Sequence, residues 1–148
     1  MTERERRVLR IERTFDAPAA AVFEAWTSAE VLRRWLHAQT EWDTPVAEVD
    51  LRVGGTLRIV MRNPATGSSW GAGGEYTVVE PPRRLVFTWM WDHDAANPQL
   101  IELEFTEHDG STTVLMINSG IPTDEVRDDQ RGGWQRCYDN LEAVLAAA

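Results

Sequence analysis

Apolar residues along the chain follow two periods, and the change from one to the other outlines a fold. Leu85, Phe87, Trp89 and Trp91 occupy every second position of L-V-F-T-W-M-W and so share one face of a strand. Near the C-terminus Trp134, Cys137, Tyr138, Leu141 and Leu145 recur at intervals of three and four, one face of an amphipathic helix. An aromatic strand and a long helix with a bulky apolar face are the parts of a sheet wrapped around a helix. Rings of this size leave gaps when they meet, which predicts an apolar pocket between the two elements.

The remaining segments fill in the order of elements. Residues 7–15 alternate loosely and predict a first strand; the mixed charges of T-E-R-E-R-R-V-L-R-I-E-R suit a solvated edge position. Asp16-Ala17-Pro18 opens a short helix that buries Val22, Phe23 and Trp26. Thr27-Ser-Ala-Glu30 has the form of a capping box, so a second helix starts there and buries Val31, Leu32, Trp35 and Leu36. From Pro45 to Gly120 the pattern is strands and turns. Leu57, Ile59 and Met61 alternate with Arg58, Val60 and Arg62, a strand passes through Tyr76 and Val79 to end at Pro81-Pro82, and Ile101, Leu103 and Phe105 alternate with Glu102 and Glu104. His108-Asp109-Gly110 reads as a hairpin turn into residues 112–119. Strands this close in sequence imply an antiparallel meander. Thr123 caps the last helix, which spans about 33 Å if it runs to Leu145. Gly132-Gly133 within it costs about 1 kcal/mol per Gly relative to Ala. Close approach to a strand, or room for a guest beside Trp134, would account for them.

At 148 residues the chain fits one domain, taken as 1–148 with a core of roughly 8–145. Seven Trp suggest a concave, partly polar apolar surface, because each indole carries an N–H that seeks a partner. The net charge is −9 and all 15 basic residues are Arg. Without lysine there is no Schiff-base or lysine-base mechanism, and the acidic balance argues against nucleic acid or an anionic membrane as partner. The lone Cys137 forms no disulfide within the chain and reads as a small hydrophobe. The absence of a secretory or membrane-spanning apolar run gives a cytoplasmic reading.

No HExxH, paired CxxC, Walker loop or nucleophile elbow is present, and no metal or cofactor is expected. Asp92-His93-Asp94 is the most reactive-looking cluster, but neighbours on an extended chain point to opposite sides, which favours a solvated loop over a metal site. Glu48, Asp50, Arg52 and Glu75 are candidates for charges at a pocket rim. Gly71-Ala-Gly-Gly74 lacks the following helix of a phosphate cradle and reads as a β-bulge or a close backbone approach.

Four segments carry a family resemblance: R-T-F-D-A-P-A-A-A-V-F-E-A-W-T, V-D-L-R-V-G-G-T-L-R-I, G-E-Y-T-V-V-E-P-P-R-R-L-V-F-T-W and G-G-W-Q-R-C-Y-D-N-L. With them the chain resembles the START-like (SRPBCC) superfamily, in the branch named after the activator of heat-shock protein 90 ATPase, from Val8 to Leu145. The resemblance implies an α+β helix-grip (START/Bet v-like) fold, in which a curved antiparallel sheet wraps a long C-terminal helix and two short helices follow the first strand. It also implies a cavity for a hydrophobic small molecule. Leu57, Ile59, Phe87, Trp89, Ile101, Leu103, Phe105, Val114, Met116 and Trp134 match pocket- or core-facing positions of the family. The candidate ligand-binding set is Trp35, Leu57, Ile59, Trp70, Tyr76, Phe87, Trp89, Trp91, Phe105, Met116, Asn118 and Trp134. Many relatives carry His where this chain has Asn118, and Asn keeps hydrogen bonding without a titratable group. Binding therefore ranks above the alternatives, a cyclase- or hydrolase-like enzyme using the same cavity and, lower, a co-regulator of the chaperone ATPase. On the opposite sheet face Val86, Thr88, Met90, Leu115 and Ile117 are more apolar than a solvated surface requires, which motivates an expected homodimer.

Overall fold

The computed structural model describes residues 7–38 and 41–147. Strand β1 (Val8–Phe15) is followed by helices α1 (Ala19–Thr27) and α2 (Ala29–Trp35). Strands β2 (Asp43–Val49), β3 (Thr56–Arg62), β4 (Ser69–Glu80), β5 (Arg84–Trp91), β6 (Gln99–His108) and β7 (Ser111–Ser119) lead to helix α3 (Asp124–Ala147). The strands form one sheet in the order β1-β7-β6-β5-β4-β3-β2, antiparallel throughout. Strand β1 is thus an edge, as its alternating charges predict; the part of that stretch before Arg7 lies outside the described residues. Helix α3 packs on one sheet face in the α+β helix-grip arrangement. Among the described residues no helix is long and apolar enough to cross a membrane.

The period of two decides which side chains meet α3. Leu57, Ile59 and Met61 of β3, Leu85, Phe87 and Trp89 of β5, Ile101, Leu103 and Phe105 of β6, and Val114 and Met116 of β7 join one buried cluster with Trp134, Cys137, Tyr138 and Leu141 of α3. Arg13 takes an inward position on β1, where its guanidinium lies 5.7 Å from the Tyr138 ring centroid. It donates to Asp139 at 2.7 Å and Gln135 at 2.8 Å, tying the edge strand to the helix. Between β6 and β7, Asp109 and Gly110 adopt φ of 51° and 82°, the left-handed pair that a two-residue hairpin turn uses.

Two local details differ from the sequence reading. The cap of α2 is Ser28, whose Oγ accepts from the Val31 N–H at 3.4 Å, and not Thr27. Thr27 still belongs to α1 and its hydroxyl donates back to the Phe23 carbonyl, an alternative partner that competes with capping. The glycine run of β4 serves a close approach, while the register shift of the β4–β5 pair lies later, between Tyr76 and Val78. A Cβ on Gly71 would strike the Arg58 guanidinium and the Asp92 carboxylate, which pair across the strand at 2.7 and 2.6 Å. A Cβ on Gly74 would collide with the Thr88 backbone carbonyl. On the outer face Val86 is buried beside the Arg84–Glu102 pair at 3.5 Å, whereas Met90 is exposed.

The end of α2 is fastened to both the sheet and α3. The Thr44 hydroxyl donates to the Leu36 carbonyl at 2.7 Å, so its oxygen accepts from His37 Nδ1 at 3.1 Å and the neutral ring carries its proton there. The Asn140 amide donates to the carbonyls of Trp35 and His37. Burial holds the His37 pKa below 6.5, with Asp43 acting in the opposite sense. The unfolded chain therefore takes up the proton first. The stability associated with neutral His37 is present in full above pH 6.5 and is lost as pH falls through that value towards the lowered one.

Two outcomes follow from this packing. Gly74→Ala lowers stability by about 3 kcal/mol in urea titration, because backbone must move to admit the methyl. Between about pH 7.5 and about pH 5.5 the urea midpoint of the native chain falls, and His37→Gln flattens that limb.

Candidate functional site

A connected series of indoles runs from the core to the surface. Trp26 is its hub, with ring centroids 4.7 Å from Trp35, 5.8 Å from Trp134 and 6.4 Å from Phe87. Trp134 meets Trp89 at 5.8 Å, Trp89 meets Trp91 at 5.4 Å, and Trp91 meets Trp70 at 6.3 Å. The alternation of β5 places Trp89 and Trp91 on one face, and register sets the small Ala72 opposite Trp91. The series ends at Trp70, which is 45% exposed.

Beside the outer half of this series lies a cleft of about 780 Å³. The first turns of α3, the ends of β4 and β5, the turn at Asp92–Asp94 and the segment after α2 enclose it. Trp70, Trp89, Trp91 and Trp134 of the predicted set line it. Trp35, Leu57, Ile59, Tyr76, Phe87, Phe105 and Met116 are instead packed in the core cluster and are not among its walls. The deep rings fill the space between helix and sheet, so the opening lies to one side of them. Sequence reading missed Trp42 and Gln130 as wall residues, whereas the glycine pair lines the cleft beside Trp134 as one of its two expected reasons required. Trp42 stands in an isolated polar stretch with no period to betray its side; the apolar stripe of α3 was legible, but Gln130 lies outside it.

Asn118 is placed one hydrogen bond behind the wall. It is fully buried, with its amide donating to Gln99 Oε1 at 3.0 Å and its oxygen accepting from Gln130 Nε2 at 2.8 Å. Gln99 and Gln130 exchange reciprocal amide bonds at 3.0 and 2.9 Å, and Gln130 Oε1 also accepts from the Trp91 indole at 3.2 Å. The cluster joins β6, β7, β5 and α3 without a charge. Trp89 differs: it is 1% exposed and its indole N–H has no hydrogen-bond partner. Such a donor lacks compensation for its desolvation, at a cost of about 1–3 kcal/mol.

The titratable groups are set apart from this buried polar cluster. Burial pushes the Cys137 thiol up to about 12, so at the cleft wall it stays protonated. Hydrogen bonding from Arg58 holds Asp92 below its usual range, with His93 acting in the same sense, and the His93 ring packs 4.6 Å from Trp70. Glu48, Asp50, Arg52 and Glu75 are all exposed and none lines the cleft; Arg52 pairs with Asp50 at 2.9 Å. Among the described residues no group of three His, Cys, Asp or Glu side chains could hold a metal ion.

Fold and site together define a helix-grip domain with an aromatic cleft beside the first half of its last helix. Residues 16–146 match the family described as Activator of Hsp90 ATPase homolog 1-like protein, and the chain belongs to that family. It is 26% identical over 129 residues to the human Activator of 90 kDa heat shock protein ATPase homolog 1, covering 86% of this chain and 33% of the relative. The chain thus spans about a third of that curated relative. A crystal structure of a Rhodobacter sphaeroides protein is similar with TM-score 0.84 and 28% identity, over 95% of this chain and 93% of that one. The corresponding values for an AHSA1 protein of Silicibacter pomeroyi are 0.83, 26%, 95% and 99%.

The glycine pair of α3 lies on the cleft, and the helix there has room for more. A Cβ at Gly132 would meet the Arg136 guanidinium at 3.6 Å, and one at Gly133 would meet Ala38 Cβ at 3.5 Å, both ordinary contacts. No strand approaches closely enough to require glycine, so the open wall is the surviving reason. Gly132→Ala and Gly133→Ala should each raise stability by about 0.5–1 kcal/mol in thermal unfolding while narrowing the cleft.

Proposed function

We propose that the cleft binds a hydrophobic small molecule, without a resident cofactor. The observation that carries this reading is the cleft of about 780 Å³ walled by Trp70, Trp89, Trp91 and Trp134. The aromatic walls would supply apolar contact to a guest. The Gln99–Asn118–Gln130 amides can hold a wall in place and polarise a neighbour, but amides do not exchange protons at neutral pH in the way a general acid or base must. That cluster favours binding, while His93, Asp94, Asp128 and Asp129 on the cleft keep cyclase- or hydrolase-like turnover as an alternative that an activity assay decides. The name of the human relative supports a second reading, co-regulation of the chaperone ATPase, which a purified-component ATPase assay decides.

Apolar ligands are expected to quench tryptophan fluorescence and to raise the melting temperature. At a hundredfold excess over Kd the stabilisation is about 2.7 kcal/mol. Trp89→Phe replaces the indole by a smaller ring at a buried wall position, so such ligands bind more weakly and the free protein loses about 1–2 kcal/mol through the void left beside Trp91 and Trp134. A broad panel that neither quenches nor stabilises overturns the proposal.

A further inference from the structure

We infer that the mouth of the cleft selects an organic cation, a quaternary or protonated amine attached to an apolar body. This rests on the binding reading above and adds a charge to the guest. At the mouth Trp70 stands at 85° to Trp91 and 86° to His93, Trp91 and His93 are tilted by 40° to each other, and behind them Trp89 stands at 90° to Trp91. Perpendicular rings offer a guest faces as well as edges, and an indole face carries the negative end of the quadrupole that attracts cations. Trp70 leaves 45% of its surface exposed at this point, a large apolar area that a guest would cover.

The charges around these rings have one dominant sign. Asp94, Asp128 and Asp129 line the cleft against a single guanidinium, that of Arg136, which is engaged with the Ala38 carbonyl at 2.6 Å. Asp94 accepts from the Asn97 amide at 2.7 Å and Asp128 from Arg127 at 3.3 Å, whereas Asp129 has no hydrogen bond or ion pair among the described residues. The wall is therefore net negative. An anionic amphiphile would be repelled, and a neutral guest would leave Asp94 and Asp129 without a counter-charge, Asp128 being paired with Arg127.

The test compares benzyltrimethylammonium with neopentylbenzene, its uncharged carbon isostere, by tryptophan fluorescence and calorimetry at low salt. The ammonium compound is expected to bind about tenfold more tightly. That ratio should fall to about one to two in Trp70→Ala, which removes a ring face without altering net charge, and in the double variant Asp128→Asn, Asp129→Asn. These side chains are exposed, so an unchanged melting temperature confirms that the fold is intact. If the isostere binds as tightly as the ammonium, cation selection is overturned and the apolar reading stands. A preference that survives both variants also overturns the inference, since it would come from the overall charge. Binding of neither compound removes this inference, while the wider apolar panel judges the binding reading separately.

Discussion

The seating of helix α3 on the sheet is the constraint on which the rest of the structure depends. At 24 residues the helix is about 36 Å long, and its grip is strongest at two places. Around Tyr138 the packing is aromatic, with Phe15 at 5.7 Å, Trp26 at 6.1 Å and the Arg13 guanidinium above the ring. At Gln130 the contact is a set of amide hydrogen bonds to β6 and β7. The stretch between them holds Gly132 and Gly133, so a helix fixed on either side is left with little side-chain bulk where the cleft opens.

The indoles divide into two groups that share one type of contact. Trp26 and Trp35 lie inside the core, where Trp35 satisfies its N–H on the Ala25 carbonyl at 2.9 Å. Removing a ring of this kind from a packed site typically costs about 3–5 kcal/mol. Trp70 and Trp91 stand at the rim and lose water on only part of their surface. Trp89 and Trp134 connect the groups, so a disturbance at the rim reaches the helix seat through direct ring contacts.

Most of the architecture was legible in the chain because periodicity reports burial directly. The alternation through Leu85, Phe87 and Trp89 and the stripe through Trp134, Tyr138 and Leu141 each reproduce the observed buried face. Periodicity could not separate core from cavity, since both demand the same apolar residues. Phe87 is packed and Trp91 borders the cleft although they lie on one face of one strand. Asn118 was recognisable from its position, but its partners Gln99 and Gln130 were not, because pairing between residues 31 apart depends on where the strand and helix come to rest. Capping failed by one residue at Thr27 and Ser28, where two neighbouring hydroxyls compete for the same role and only backbone geometry chooses between them.

The amide cluster has a bearing on chemical ageing. Asn118 is followed by Ser119, a small residue whose backbone nitrogen is well suited to attack the side-chain carbonyl when the chain is free. Strand geometry and the bonds to Gln99, Leu100 and Gln130 keep that carbonyl from the bent conformation which loss of ammonia requires. Were deamidation to occur during an excursion of the strand, an aspartate would face Gln99 Oε1 and the Leu100 carbonyl with no proton to give. Loss of that donor, with a charge in its place, would weaken the tie between β6, β7 and the first turns of α3.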